Sequence, residues 1–314
     1  MEFVLSVVGL AILLLAGDAL VRGAVNLALR IGIPALIVSL TIVAFGTSAP
    51  ELIISIGAIL DGSSGIALGN VVGSNIANIL LVLGVPAIIS GIAMRDNDTR
   101  RSYVMMLTVS VLFVALAFWG PITWTHGLIL LACLALVLFD QARGALADRR
   151  KGRETSEEEP EGADPTMPGW KVTMFLVLGL LGLPLGADLL IRGATTIARD
   201  FGISDAVIGL TLVAIGTSLP ELATTVMAAI RKQSDVVMGN VIGSNIFNLL
   251  AIIGITSLIG PVTVDPAFLQ LDFWVMLGAA LLLAPFVFLG WSLSRLVGIA
   301  FCALYVGYLA LLVT

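Results

Sequence analysis

Glu51 and Glu221 are the residues with the greatest chemical potential in the chain, because each places a carboxylate within a long apolar stretch. Gly46-Thr47-Ser48-Ala49-Pro50-Glu51 sets two hydroxyls, a helix breaker and the acid side by side. Gly216-Thr217-Ser218-Leu219-Pro220-Glu221 repeats the arrangement about 170 residues later. An ionised carboxylate at the centre of a bilayer costs at least about 2.5 to 3.5 kcal/mol. Lys and Arg are missing from the repeat cores at that depth, so the cheapest partner for such a pair is a bound cation.

The neighbouring residues enlarge the donor set. Pro50 and Pro220 lack a backbone donor and their rings crowd the carbonyl four residues earlier. This loosens the carbonyls near Ala44, Phe45 and Gly46, and near Ala214, Ile215 and Gly216. Irregular backbone at membrane depth survives only where it lines a cavity or is covered by protein. Further along, Ser74 and Asn78 stand four apart on one helical face, as do Ser244 and Asn248. Gly69, Gly73, Gly239 and Gly243 read as seams for close helix packing. Carboxylates, hydroxyls, amide oxygens and carbonyls, with no thiolate or imidazole among them, make a site for a hard cation. Flexible mixed oxygen ligation suits Ca2+ better than Mg2+, and Zn2+ or copper would recruit Cys or His. The same oxygens suit Na+. Two carboxylates balance one Ca2+, which together with the duplication points to coupled exchange.

The elements that position these groups are membrane helices. The chain has 314 residues, 59% hydrophobic and 12% charged, with a mean hydropathy of +1.09; soluble proteins average roughly 25% charged. Cys133 and Cys302 lie in apolar runs and imply no disulfide. No cleavable signal peptide is expected, because Met1 to Leu29 lacks a basic n-region and its apolar run is long enough for a first span. At about 20 apolar residues per span, helices are predicted near 3–29, 33–60, 66–90, 102–119 and 122–143, then near 170–199, 203–230, 236–259, 271–290 and 294–313. The expected fold is all-α, with ten transmembrane helices.

The repeat runs without a gap from Asp18–Gly84 to Asp188–Gly254, with roughly thirty identities in about sixty-seven pairs. Five spans per copy make the second copy enter the membrane from the opposite side, so the five-helix repeats, residues 1–143 and 170–314, are inverted. Residues 144–169, with a basic cluster, Glu154 to Glu161 and three prolines, read as a disordered linker. Arg30, Arg95, Arg100, Arg101, Arg143, Arg149, Arg150, Lys151, Arg153, Lys171, Arg231, Lys232 and Arg295 fall on one side of this layout, and Arg199 on the other. Both termini are therefore expected outside and the linker in the cytoplasm of a multi-pass cell (inner) membrane protein. Asp18 with Arg22, and Asp188 with Arg192, are spaced for intrahelical ion pairs. No role is expected for His126. Gly62-Ser63-Ser64-Gly65 matches the serine motif of rhomboid-type proteases in letters only.

The two hexapeptides and the following Ser and Asn residues resemble the alpha repeats of the cation/calcium exchanger superfamily, in particular the prokaryotic sodium/calcium exchangers. That resemblance implies ion binding by Thr47, Ser48, Glu51, Ser74 and Asn78, by Thr217, Ser218, Glu221, Ser244 and Asn248, and by the carbonyls of Ala44 and Ala214. It implies an antiporter and not an enzyme, in which the first and sixth helices slide across a core holding the site. Several family members carry Asp where this chain has Asn248. Proton-coupled relatives tend to carry a second acidic residue in the later motif, which favours Na+ here. The expected substrates are Ca2+ and Na+ and the expected surroundings are lipid, with no cofactor, nucleic acid or obligate protein partner. Coupling to H+ or K+, or a passive cation channel, are the alternatives.

Overall fold

The computed structural model describes residues 2–94, 98–150, 164, 166–201 and 214–313. They form helices α1 (Glu2–Ile31), α2 (Ala35–Thr47), α3 (Ala49–Leu60), α4 (Ser64–Ser90), α5 (Asp98–Ala117) and α6 (Trp124–Arg150). The second half supplies α7 (Gly169–Asp200), α8 (Ala214–Gly216), α9 (Leu219–Ile230), α10 (Ser234–Ile259), α11 (Phe268–Leu289) and α12 (Arg295–Val313). Among the described residues, eight helices are long and apolar enough to cross a membrane, and the bent pair α2/α3 makes a ninth. The first part of the span expected at 203–230 lies outside the described residues, as does most of the linker. Within the expected linker, α6 continues as far as Arg150.

Helix α2 passes through a π-helical stretch at Ser39–Val43 before the break, and α10 through another at Asn248–Ile252. Such wide turns are rare and gather at functional positions, since one extra residue per turn re-aims the side chains beyond it. At Ser48 the chain leaves helical geometry, with ψ near 5°, and Pro50 then stands in the first turn of α3. There its missing N–H costs no helical bond. The result is a 42° bend between α2 and α3. Leu219 and Pro220 open α9 in the same way after Ser218, whose ψ is 4°.

Helices α4 and α10 are the most buried of the long helices. They stand at the centre of one large apolar cluster whose largest fully buried side chains are Tyr103, Phe113 and Phe273. Gly239 and Gly243 bring α10 against the α2 backbone: a Cβ at Gly243 would lie 2.4 Å from the Leu40 carbonyl oxygen. The expected close seam is thus present for these two glycines. Repeat-equivalent contacts of Gly69 and Gly73 would fall at 206–214, almost wholly outside the described residues.

A second, smaller cluster forms around α1 and α7. These helices run antiparallel, with Gly193 against Ser6, Gly186 against Leu13, Gly179 against Leu20 and Gly23 against Leu176. Small residues at the crossing let the two backbones touch, which is how helices associate where lipid removes any hydrophobic drive. Leu15, Leu136, Phe139, Leu181 and Leu296 point outward from the bundle, as suits a lipid-facing surface.

Reciprocal contacts tie the halves together. Ile92 pairs with Leu293 through two backbone hydrogen bonds of 3.0 and 2.9 Å, and Ile122 pairs with Val262 through two of 2.9 Å. Val262 is the repeat equivalent of Ile92, so one contact is nearly the image of the other.

Candidate cation site

Ser48-Ala49-Pro50-Glu51 and Ser218-Leu219-Pro220-Glu221 both spell a helix capping box, in which serine and glutamate satisfy the first N–H groups of their own helix. Neither forms: no side-chain cap bond is made at either helix start. In one of the two pairings across the molecule, serine turns to the glutamate of the other helix instead. Ser48 Oγ donates to Glu221 Oε1 at 3.1 Å, and the two carboxyl groups are near enough for their charges to interact directly. Both glutamates are only 1% exposed. Among the described residues no Lys or Arg pairs with either. Each stands in the first turn of its helix, where the unpaired N–H groups present partial positive charge that favours a carboxylate.

Six elements meet here, with α2 packed on α10, α4 on α8, α3 on α4 and α9 on α10. Thr47, Ser48, Ser74, Asn78, Thr217, Ser218, Ser244 and Asn248 are all buried among them. The Thr47 and Ser244 hydroxyls approach the Glu221 carboxyl. Thr47 Oγ1 also donates to the Ala44 carbonyl at 3.3 Å, and that carbonyl accepts the Ser48 N–H at 3.1 Å. Ala44 is therefore less loosened than Pro50 alone implies. In the second half the Ser218 N–H reaches Ile215 instead, at 3.0 Å, so it does not occupy the carbonyl of Ala214, which opens α8. The copies share a sequence but not one conformation.

Several oxygens remain over. Among the described residues, Glu51 Oε2, Glu221 Oε2, Asn78 Oδ1, Asn248 Oδ1, Ser218 Oγ and Ser244 Oγ are buried without a hydrogen-bond partner. Folded proteins satisfy the large majority of buried polar side-chain atoms, so a group of exceptions calls for a cause. Carboxylate and amide oxygens in this state are acceptors only, and their natural complement is a hard cation. Among the described residues no cluster of three or more His, Cys, Asp and Glu exists, so any cation here meets two carboxylates and neutral oxygens.

Four asparagines that spacing alone left without a role are part of this construction. Asn70 Nδ2 donates to the Glu51 carbonyl at 3.1 Å and to Ser55 Oγ at 2.9 Å. Asn240 Nδ2 does the same to the Glu221 carbonyl at 3.4 Å and to Thr225 Oγ1 at 3.1 Å. Asn75 and Asn245 bond the amides of Asn248 and Asn78. Their recurrence in both copies was the signal that could have found them. His126 accepts the Thr123 N–H at 3.1 Å and holds the turn that starts α6.

A helical, polytopic membrane protein with paired acids buried where its halves meet has the groups a cation transporter needs. The chain matches the profile of the Sodium/calcium exchanger protein family over residues 1–141 and 171–314, and it is a member of that family. It is 34% identical to the sodium/calcium exchanger MaX1 of Methanosarcina acetivorans, covering 99% of this chain and 98% of that one. It is 35% identical to inner membrane protein YrbG of Escherichia coli (strain K12), covering 98% and 95%. A solved structure of the sodium-calcium exchanger NCX_Mj superposes with a TM-score of 0.84 at 32% identity, covering 99% of this chain and 98% of that one.

Proposed function

We propose that the protein is a secondary antiporter that exchanges Na+ for Ca2+ through one site, made by Glu51 and Glu221 and opened alternately to the two sides of the membrane. The observation that carries this reading is the set of buried, unpartnered oxygens on both repeats, supported by membership of a family of sodium/calcium exchangers. Ca2+ takes six to eight oxygens of mixed type. Glu51, Glu221, Asn78, Asn248, Ser218 and Ser244 supply free oxygens, with Thr47, Ser48, Ser74, Thr217 and the carbonyls of Ala44 and Ala214 alongside.

The proposed architecture has ten spans in two inverted repeats of five, joined by the linker 144–169, with both termini outside. The tenth span is α8/α9 together with residues that precede it, matching α2/α3 by the repeat. Basic residues concentrated on one side give the orientation, and the reciprocal backbone pairs support the two-fold relation. In a site between inverted repeats, rocking one group of helices against the other exposes the same ligands to either side. The α1/α7 pair, close-packed within itself around a second apolar cluster, is the group that moves.

The test is uptake of radioactive calcium into proteoliposomes under an imposed gradient of Na+, K+ or H+. Outward Na+ gradients drive uptake in the wild type, and Glu51→Gln or Glu221→Gln abolishes it. Uptake at the wild-type level in both variants refutes the site. Uptake driven by a pH gradient alone refutes Na+ coupling.

A further inference from the structure

Asn75 on α4 and Asn245 on α10 are buried, 1% and 3% exposed, and each lies one turn before Asn78 or Asn248. Their hydrogen bonds follow a fixed logic. Asn75 Nδ2 donates to the Asn245 carbonyl, and Asn245 Nδ2 donates to the Asn75 carbonyl, both at 3.4 Å. A backbone carbonyl only accepts, so each of these amides must present its NH2 to the opposite chain and its oxygen the other way. The sulfurs of Met276 and Met106 lie against the same NH2 groups at 3.9 and 3.7 Å, further weak acceptors that favour this orientation. Asn245 Oδ1 then accepts from Asn78 Nδ2 at 3.0 Å, and Asn75 Oδ1 from Asn248 Nδ2 at 3.1 Å. The NH2 groups of Asn78 and Asn248 are thereby committed, and their Oδ1 atoms point away from the clasp, buried and without partners among the described residues.

Orientation matters because an asparagine amide has a negative and a positive end. Turned over, Asn78 or Asn248 would aim N–H groups at the cation. A carboxylate has no such problem, since both of its ends accept. We propose that Asn75 and Asn245 are positioning residues that fix the amide orientation of Asn248 and Asn78 across the repeat interface, so that two neutral oxygens face the hard cation held by Glu51 and Glu221. The proposal rests on the ion-exchange reading and adds a device to it: each repeat sets the ligand of the other. It also explains how a site with amides at both positions presents acceptors to a cation without a third acid.

The experiment is a double-mutant cycle read as Ca2+ KM and maximal rate of Na+-driven uptake in proteoliposomes. Asn75→Leu frees the Asn248 amide, and the expected result is a KM raised about tenfold, the equivalent of about 1.4 kcal/mol, with the maximal rate changed less than about twofold. In protein carrying Asn248→Asp, the further change Asn75→Leu leaves KM unchanged or lowers it, because the carboxylate presents oxygen at either end. Equal loss from Asn75→Leu in both backgrounds means the clasp only packs α4 against α10, and overturns the proposal. If Asn75→Leu does not fold, the mirror cycle of Asn245→Leu with and without Asn78→Asp decides by the same criterion. Wild-type and Glu51→Gln arms separate the two levels. Absence of Na+-driven uptake in the wild type overturns the exchange reading, whereas wild-type uptake lost in Glu51→Gln, with additive asparagine effects, overturns the clasp alone.

Discussion

Replacing Arg231 by Gln tests whether the packing of α1 on α9 is one of two alternating arrangements. Arg231 reaches from the end of α9 to Asp18 on α1, an ion pair with Arg and Asp side chains 16% and 20% exposed. Gly17, beside it, lies against α9 so closely that a Cβ there would be 3.0 Å from the Ala223 carbonyl and 3.3 Å from Met227. Among the described residues α7 makes no comparable contact with α3, the matching helix of the other half. Nor does the repeat supply a matching ion pair, because the equivalent of Arg231 is Asp61, an acid that would face Asp188. If the halves exchange roles during transport, this pair holds only the arrangement seen here. Exposed pairs contribute about 0 to 1 kcal/mol, and breaking a buried one costs about 3 to 5 kcal/mol. Partial burial places this pair between those limits, and Arg22, 2.9 Å from Asp18, remains as a second partner after the substitution. A cost of about 1 to 2 kcal/mol follows, which shifts a two-state equilibrium about 5- to 30-fold. The assay is the maleimide labelling rate of Met227→Cys, which α1 covers, in protein lacking Cys133 and Cys302. Arg231→Gln raises that rate by the same factor. Arg192→Gln is the control, because its pair with Asp188 is 72% and 49% exposed and its loss changes labelling less than about twofold. Equal rates in the two variants refute the reasoning.

Gly186→Ala puts a Cβ 2.8 Å from the Leu13 nitrogen and 2.9 Å from the Gly9 oxygen; backbone atoms cannot yield, so the unfolding temperature in detergent falls by the equivalent of about 1 to 3 kcal/mol. Gly307→Ala, exposed on α12 with nothing within 4 Å of the new Cβ, leaves that temperature unchanged or raises it. Ser48→Ala removes the hydroxyl that donates to Glu221 and costs about 1.5 to 3 kcal/mol if Glu221 is ionised. Ser218→Ala removes a hydroxyl with no hydrogen-bond partner, so the two variants differ in thermal stability measured without Na+ or Ca2+. Equal stabilities refute the asymmetry between the repeats.

The length of apolar runs located most of the described helices, because a span is a matter of length and apolar content and needs no knowledge of neighbours. Helices α7 and α10 lie within two residues of their expected ends. The hexapeptides were legible for a related reason: a carboxylate beside a proline within apolar sequence is costly enough to demand an explanation by itself. What the sequence could not show was direction. Ser48 and Glu51 are spaced to cap their own helix, and only packing turns them outward to the other repeat. Asn75 and Asn245 look like any polar pair on a buried helix until the opposing carbonyls fix which way their amides face. The repeat also conceals asymmetry, because two matching copies predict matching contacts while a single conformation need not contain both. Among the described residues Ser48 Oγ bonds Glu221 while Ser218 Oγ has no partner, a departure at positions where the copies are identical. It therefore comes from the packing around the two copies and not from the serines themselves. Arg231 opposite Asp18, with Asp61 at the matching place, is a departure of the other kind. No motion can turn it into its mirror image, so if the protein alternates between two arrangements, those arrangements differ in energy by construction. In an exchanger that alternates, this unlike pair favours the arrangement in which Arg231 meets Asp18.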